Sequence, residues 1–168
     1  GVSVVGTEIR VIYGDTDQMG VAYYANYLRW FEAGRNEFLR AKGARYRDVE
    51  QDLGILLPVV EAHVRYRHPA RYDDLIRVET TLAELRRASL RFEYRVVRSD
   101  DETLLVEGYT AHACIDRDLV PRRFPAALIA MLGVEPSPGR SEAASEEETT
   151  VAPIAEGRAP AIRDPAGS

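Results

Sequence analysis

A single cysteine, Cys114, and a single lysine, Lys42, stand in a chain of 168 residues. One cysteine closes no intramolecular disulfide. Cys114 falls in a strand-like run, where a small buried residue is a more natural role than a nucleophile. Histidine is scarce too. His63, His68 and His112 are spread over two strand-like runs, with no carboxylate or second histidine at ligand spacing, so no metal site is expected. A Ser-His-Asp hydrolase is disfavoured because the nucleophile-elbow sequence is missing. The apolar runs are far too short to span a bilayer, and the first residues lack the charged-then-apolar order of a signal peptide. A cytoplasmic protein without a membrane span is expected. No basic stripe runs along the chain and its pI is about 5.3, which argues against a nucleic-acid partner.

Hydrophobic residues make up 45% of the chain, enough for one sizeable core. A strand is predicted from Thr7 to Tyr13. Tyr24, Tyr27, Leu28, Phe31, Phe38 and Leu39 then recur at helical spacing, predicting a helix from Tyr23 or Tyr24 to Lys42 that stops at Gly43. A short helix over Tyr46 to Leu53 ends at Gly54. Four strand-like runs follow: Leu56 to Arg67, Leu75 to Leu85, Ser89 to Ser99 and Leu104 to Asp116. In the third, Leu90, Phe92, Tyr94 and Val96 alternate with Arg91, Glu93 and Arg95. Pro125 to Leu132 adds a last short helix. Short links between consecutive strands imply an antiparallel sheet, and a long helix with apolar residues on several sides must be covered by it. The fold class is therefore α+β, within one domain over residues 1–134. Residues 135–168 hold five of the nine prolines and about −4 of the net charge of −5, from seven acidic and three basic side chains. This tail is expected to be disordered.

The densest cluster of chemistry-bearing residues is Tyr13-Gly14-Asp15-Thr16-Asp17-Gln18-Met19-Gly20-Val21-Ala22-Tyr23-Tyr24-Ala25-Asn26-Tyr27. A strand leads through an acidic loop into a helix start. Aspartates in that position commonly cap the helix or brace the loop through an Asx turn. A carboxylate beside unpaired N–H groups at the positive end of a helix dipole also suits acyl transfer. The residues alone leave both readings open.

The run Asp15-x-Asp17-x-x-Gly20-Val21, followed by Tyr24 and Tyr27, resembles the hotdog-fold acyl-CoA thioesterases of the 4-hydroxybenzoyl-CoA and Tol-Pal-associated group. Further landmarks of that group follow in order: Arg35 within the helix, Pro69-Ala70-Arg71-Tyr72-Asp73-Asp74 before a strand, and Arg86-Arg87-Ala88-Ser89 between strands. The resemblance spans about Glu8 to Leu132. It implies a curled antiparallel sheet around one central helix, and hydrolysis of an acyl-CoA thioester without a cofactor.

In such a site Asp17 is the nucleophile or the general base, and the N–H of Tyr24 is the oxyanion donor. Asp15 is a loop brace. Gly20 and Val21 lie against the substrate, Tyr27 lines the acyl pocket, and Arg86, Arg87 and Ser89 hold the coenzyme A phosphates. Arg122 and Arg123, after the last strand, could assist in holding the phosphates but have no comparable match. The resemblance also implies a homodimer or homotetramer with the active site at a subunit boundary. Two alternatives stay in play: a hotdog dehydratase, which needs a histidine paired with a carboxylate beside the helix, and a domain that binds acyl-CoA without cleaving it.

Overall fold

The computed structural model describes residues 3–133. The expected disordered tail lies outside the described residues. The element order is β1 (Val4–Arg10), α1 (Asn26–Ala41), α2 (Tyr46–Leu53), β2 (Val59–Tyr66), β3 (Leu75–Leu85), β4 (Ser89–Arg98), β5 (Thr103–Ala113) and α3 (Ala126–Leu132). All strands pair antiparallel in one sheet of order β1-β3-β4-β5-β2, so β1 and β2 are its edges. Helix α1 packs against β1, β3 and β4, giving the α+β arrangement of one long helix on one sheet. Among the described residues no helix is long and apolar enough to cross a membrane.

Period sets each element. On β4, Leu90, Phe92, Tyr94 and Val96 are buried beneath the helix, while Glu93 and Arg95 face water. On α1, Tyr27, Trp30, Phe31, Gly34 and Phe38 form one buried stripe at helical spacing. Phe31 stacks on Tyr94 with centroids 4.2 Å apart and planes 3° from parallel, and Phe38 meets Phe92 edge-on. Gly34 lets the helix sit close, since a Cβ there would come within 2.5 Å of Thr80 Oγ1 and 2.8 Å of Val78 Cγ1.

The largest departure from the sequence reading is β1, which runs from Val4 to Arg10 rather than from Thr7 to Tyr13. At Val11 the backbone leaves the ladder to bond with Asp73 and Asp74, and Tyr13–Asp15 winds into a 3-10 turn. The cause is Asp15, whose buried carboxylate accepts the Ile12 N–H and pulls the chain into that turn. Helix α1 starts at Asn26, two or three residues later than predicted, because Tyr23 and Tyr24 form a separate hydrogen-bonded turn ahead of it. β2 is also shorter than predicted. Leu56 forms only an isolated bridge to Ile115, and Pro58 carries no N–H for a ladder.

A polar chain crosses the core behind the helix. His112 Nδ1 lies 2.9 Å from Leu57 O, its Nε2 lies 2.8 Å from Thr110 Oγ1, and Thr110 Oγ1 lies 2.6 Å from the Tyr94 hydroxyl. A carbonyl only accepts, so Nδ1 carries the proton, Thr110 donates to Nε2 and Tyr94 donates to Thr110. Burial lowers the His112 pKa to about 4, with the nearby Arg35 charge pushing the same way against the Leu57 carbonyl. The folded state therefore binds fewer protons here than the unfolded chain, whose histidine titrates near ~6.5. The stabilising effect of neutral His112 is complete above that value and is lost as pH falls toward about 4. Unfolding free energy is expected to drop by about 2 kcal/mol between neutral pH and pH 5 from this group alone. Urea melts at several pH values check this: His112→Gln starts less stable and shows a shallower slope between pH 6.5 and 5.

Candidate active site

The loop between β1 and α1 is built by its own residues. Asp15 is 5% exposed, and its carboxylate receives Arg29 from α1 as well as the Ile12 N–H. Its carbonyl accepts the Tyr23 N–H at 2.8 Å and the Asn26 side-chain N–H at 2.7 Å. One residue thus ties the loop's entry, its exit and the helix together. Beyond it, Thr16 and Ala22 bridge a small hairpin. Asp17 N–H donates to Val21 O, and Gly20 N–H donates to Asp17 O. Gly20 sits at φ 74°, in the left-handed region, which allows so tight a turn. Val21 bridges Arg71 and Ala22 N–H donates to Ala70 O, which fastens the hairpin to the Pro69–Asp74 segment. That segment is held in turn by Arg98, which reaches Asp74 and Pro69 O.

Asp17 is exposed, and its Oδ1 accepts the Met19 N–H at 2.8 Å. One carboxylate oxygen therefore braces an Asx turn and the other stays available. Tyr24 lies just ahead of the helix, with its carbonyl taken by Tyr66 Oη and by the Tyr27 N–H. Its own N–H donates to no acceptor among the described residues. Tyr24 also lines a hollow of about 210 Å³, together with Ala22, Tyr27, Tyr66, Arg67, His68 and Pro69.

Tyr66 and Arg67 were not singled out in the sequence, and His68 was considered there only as a metal ligand, since the three read as the end of a strand and a turn. They reach the hollow because β2 ends beside the helix start, a juxtaposition that no local motif encodes. Burial raises the Tyr66 pKa, with the neighbouring tyrosines adding to it, so this phenol stays a neutral donor at physiological pH. Tyr27 forms the hollow's floor at 2% exposure, and its hydroxyl accepts the buried Ala70 N–H at 3.0 Å. It is a brace as much as a wall. Tyr27→Phe strands that N–H, and a loss of about 1–3 kcal/mol in stability is expected, read as a lower melting temperature.

The residues proposed for phosphate binding lie elsewhere. Arg86 N–H donates to Ser89 O and closes the β3–β4 turn. The Asp17 hairpin flanks the Leu75 end of β3, whereas Arg86, Arg87 and Ser89 follow its Leu85 end. Those ends are separated by roughly 33 Å at the usual strand rise. Asp17, Gly20 and Val21 share the hairpin, Tyr24 and Tyr27 line the hollow beyond it, and the arginine turn lies apart from both.

Comparison with known proteins gives the family and the fold. The thioesterase-like superfamily matches residues 11–132. The acyl-CoA thioester hydrolase YbgC of Escherichia coli is 33% identical over 123 residues, covering 73% of this chain and 90% of that protein. The acyl-CoA thioesterase YbgC of Haemophilus influenzae is 35% identical over 119 residues, covering 70% and 85%. Among solved structures, the DHNA-CoA thioesterase of Staphylococcus aureus aligns with a TM-score of 0.68 at 32% identity, covering 71% of this chain and 80% of that one. An Asp-to-Asn variant of 4-hydroxybenzoyl-CoA thioesterase in complex with 4-hydroxybenzoyl-CoA aligns with a TM-score of 0.71 at 25% identity, covering 77% and 98%. With its five antiparallel strands, its central helix and a match over most of its length, the chain is a hotdog-fold protein that belongs to the thioesterase-like superfamily.

Proposed function

We propose that this protein is an acyl-CoA thioesterase, hydrolysing an acyl-CoA thioester to the free acid and coenzyme A. The observation that carries this reading is an exposed carboxylate, Asp17, in the same loop as the unpaired Tyr24 N–H, inside a family whose named relatives cleave such esters. The Tyr24 N–H receives the oxyanion that forms as the thioester carbonyl is attacked. A donor of this kind contributes roughly 2.7–4 kcal/mol to the transition state. Asp17 attacks the carbonyl directly, expelling the coenzyme A thiolate and leaving an anhydride for water to open, or it deprotonates a water that does the same work. Gly20 and Val21 bring backbone close to the thioester, and Tyr27 floors the acyl pocket. His112 gives the dehydratase alternative no support, since both of its ring nitrogens are committed inside the core.

The separation of Asp17 from the arginine turn favours a site shared by two copies of the chain. β2 is an open edge with Val59 45% and Val60 54% exposed. Antiparallel pairing of two β2 edges sets Tyr66 of one copy beside Val59 of the other. The partner's β3–β4 turn is then three to four strands from the hollow, roughly 15–20 Å at the usual strand spacing. That is within reach of coenzyme A, so Asp17 and Tyr24 act on the thioester while Arg86, Arg87 and Ser89 of the second copy hold its phosphates.

Thiol release from short, long and aromatic acyl-CoA esters tests the activity, with molecular mass in solution measured alongside. Thiol release by a species of twice the chain mass or more supports the reading. A parent that cleaves none of the panel, or cleaves it as a monomer, overturns it in the first or second part.

A further inference from the structure

The peptide groups around Tyr24 are held from two sides. On the loop side, Tyr23 N–H donates to Asp15 O at 2.8 Å, and Asn26 N–H donates to Tyr23 O at 2.9 Å, which fixes the peptide that carries the Tyr24 N–H. On the other side, Tyr24 O receives the Tyr66 hydroxyl at 3.1 Å and only a long contact of 3.4 Å from the Tyr27 N–H. A carbonyl only accepts, so the phenol donates, and burial keeps its proton in place by raising its pKa. The side chains of Tyr23 and Tyr24 are exposed and do little to anchor this turn by packing.

Tyr66 is itself rigidly placed. It pairs with Val106 in the β2–β5 ladder, and the N–H groups of Arg67 and His68 both donate to Leu105 O just beyond it. Its ring meets the buried Tyr27 edge-on, with centroids 5.4 Å apart. No side chain caps α1. A capping acceptor would take N–H groups of the first turn and so compete with a substrate oxygen. A phenol bonded to a carbonyl holds the same turn and leaves its donors free.

We propose that Tyr66 is a positioning residue for thioester cleavage, its hydroxyl fixing the Tyr24 backbone and with it the N–H that receives the oxyanion. The inference rests on the acyl-CoA reading above and deepens it. Tyr66 acts through Tyr24 and not on the reacting atoms, and because it is the last residue of β2 it ties the site to the sheet's open edge.

Tyr66→Phe keeps the ring against Tyr27 and removes only the hydroxyl. It is expected to lower kcat for acyl-CoA about tenfold, short of the roughly 10²–10³-fold that follows outright loss of an oxyanion donor, while KM, melting temperature and mass in solution stay close to the parent's. Tyr109→Phe is the control, since it removes a hydroxyl bond to the same strand, at Glu61, away from the hollow, and its kcat is expected to match the parent's. A ketone analogue with a methylene in place of the thioester sulfur reads the donor without turnover. Its carbonyl stretch when bound is expected at higher frequency in Tyr66→Phe than in the parent, because a displaced N–H polarises the carbonyl less.

A Tyr66→Phe protein with the parent's kcat overturns the inference, as does a loss of kcat that Tyr109→Phe reproduces or a carbonyl stretch that does not move. A parent that binds the analogue, shows the shift on losing the Tyr66 hydroxyl and yet releases no thiol overturns the thioesterase reading and leaves Tyr66 as the residue that positions the Tyr24 N–H.

Discussion

Asp17→Asn is expected to lower kcat for acyl-CoA hydrolysis by about 10²–10⁴-fold, the range attributed to a positioned proton-transfer group, with little change in melting temperature or mass in solution. The geometry separates the two roles of this residue. Oδ1 accepts the Met19 N–H, and an asparagine carbonyl oxygen does that equally well, so the Asx turn and the hairpin above it survive. The charge is lost, and with it the ability to attack a carbonyl or take a proton from water. Because the side chain is exposed and no buried partner is stranded, the stability cost is expected to stay within about 0.5 kcal/mol. Asp17→Ala removes the turn as well, and a larger drop in melting temperature distinguishes it. Single turnover in ¹⁸O-water then probes the chemical route: label in the Asp17 carboxylate establishes direct attack with the anhydride opened at its aspartyl carbonyl, whereas general-base catalysis, like opening at the acyl carbonyl, sends all of it to the released acid. An Asp17→Asn protein that hydrolyses acyl-CoA at the parent rate removes Asp17 from the mechanism.

The pairing of Asp17 with the Tyr24 N–H comes from the resemblance, and the structure keeps the two in one segment between β1 and α1. Residue pattern alone served wherever period or punctuation is local. β3 runs from Leu75 to Leu85 and α2 from Tyr46 to Leu53 as predicted, each bounded by turn residues. Prediction failed where a side chain from one element reshapes another. The buried Asp15 carboxylate draws Ile12 out of the strand and meets Arg29 from the helix, so β1 ends three residues early although Thr7 to Tyr13 alternates well enough for a strand. Tyr66 and His68 reach the hollow only because β2 is the last strand in the sheet order and ends beside the helix start. That placement comes from strand order, which hydrophobic period does not specify. The separation of the arginine turn from Asp17 is of the same kind, following from the length of β3.

Gly108→Ala is expected to be the most destabilising methyl group that can be added to the sheet, and the reason is again non-local. Gly108 sits in β5 between Tyr94 of β4 and Val64 of β2. A Cβ at this position would fall well inside contact distance of the His63 carbonyl oxygen, and within 3.0 Å and 3.1 Å of the Phe31 ring. Neither neighbour can yield cheaply. The carbonyl is backbone of β2, whose ladder to β5 runs from Val59 to Tyr66. The ring is wedged between Gly108 and Tyr94, against which it stacks nearly parallel. Glycine inside a strand often marks such a close backbone approach. Overpacking usually costs 1–3 kcal/mol, and with two rigid neighbours a loss of about 3 kcal/mol or more is expected, equivalent to a fall of roughly 6–12 °C in melting temperature. Gly14→Ala is the control, since nothing lies within 4 Å of its added methyl and its φ is not left-handed. Relief of the clash pushes β2 outward, which carries Tyr66 away from Tyr24 and distorts the edge proposed to pair with a second copy. Folded Gly108→Ala, assayed below its melting temperature, should therefore lose activity and dimer mass together. A variant that melts with the parent would mean that the helix, β5 and β2 are not packed as closely as this glycine implies.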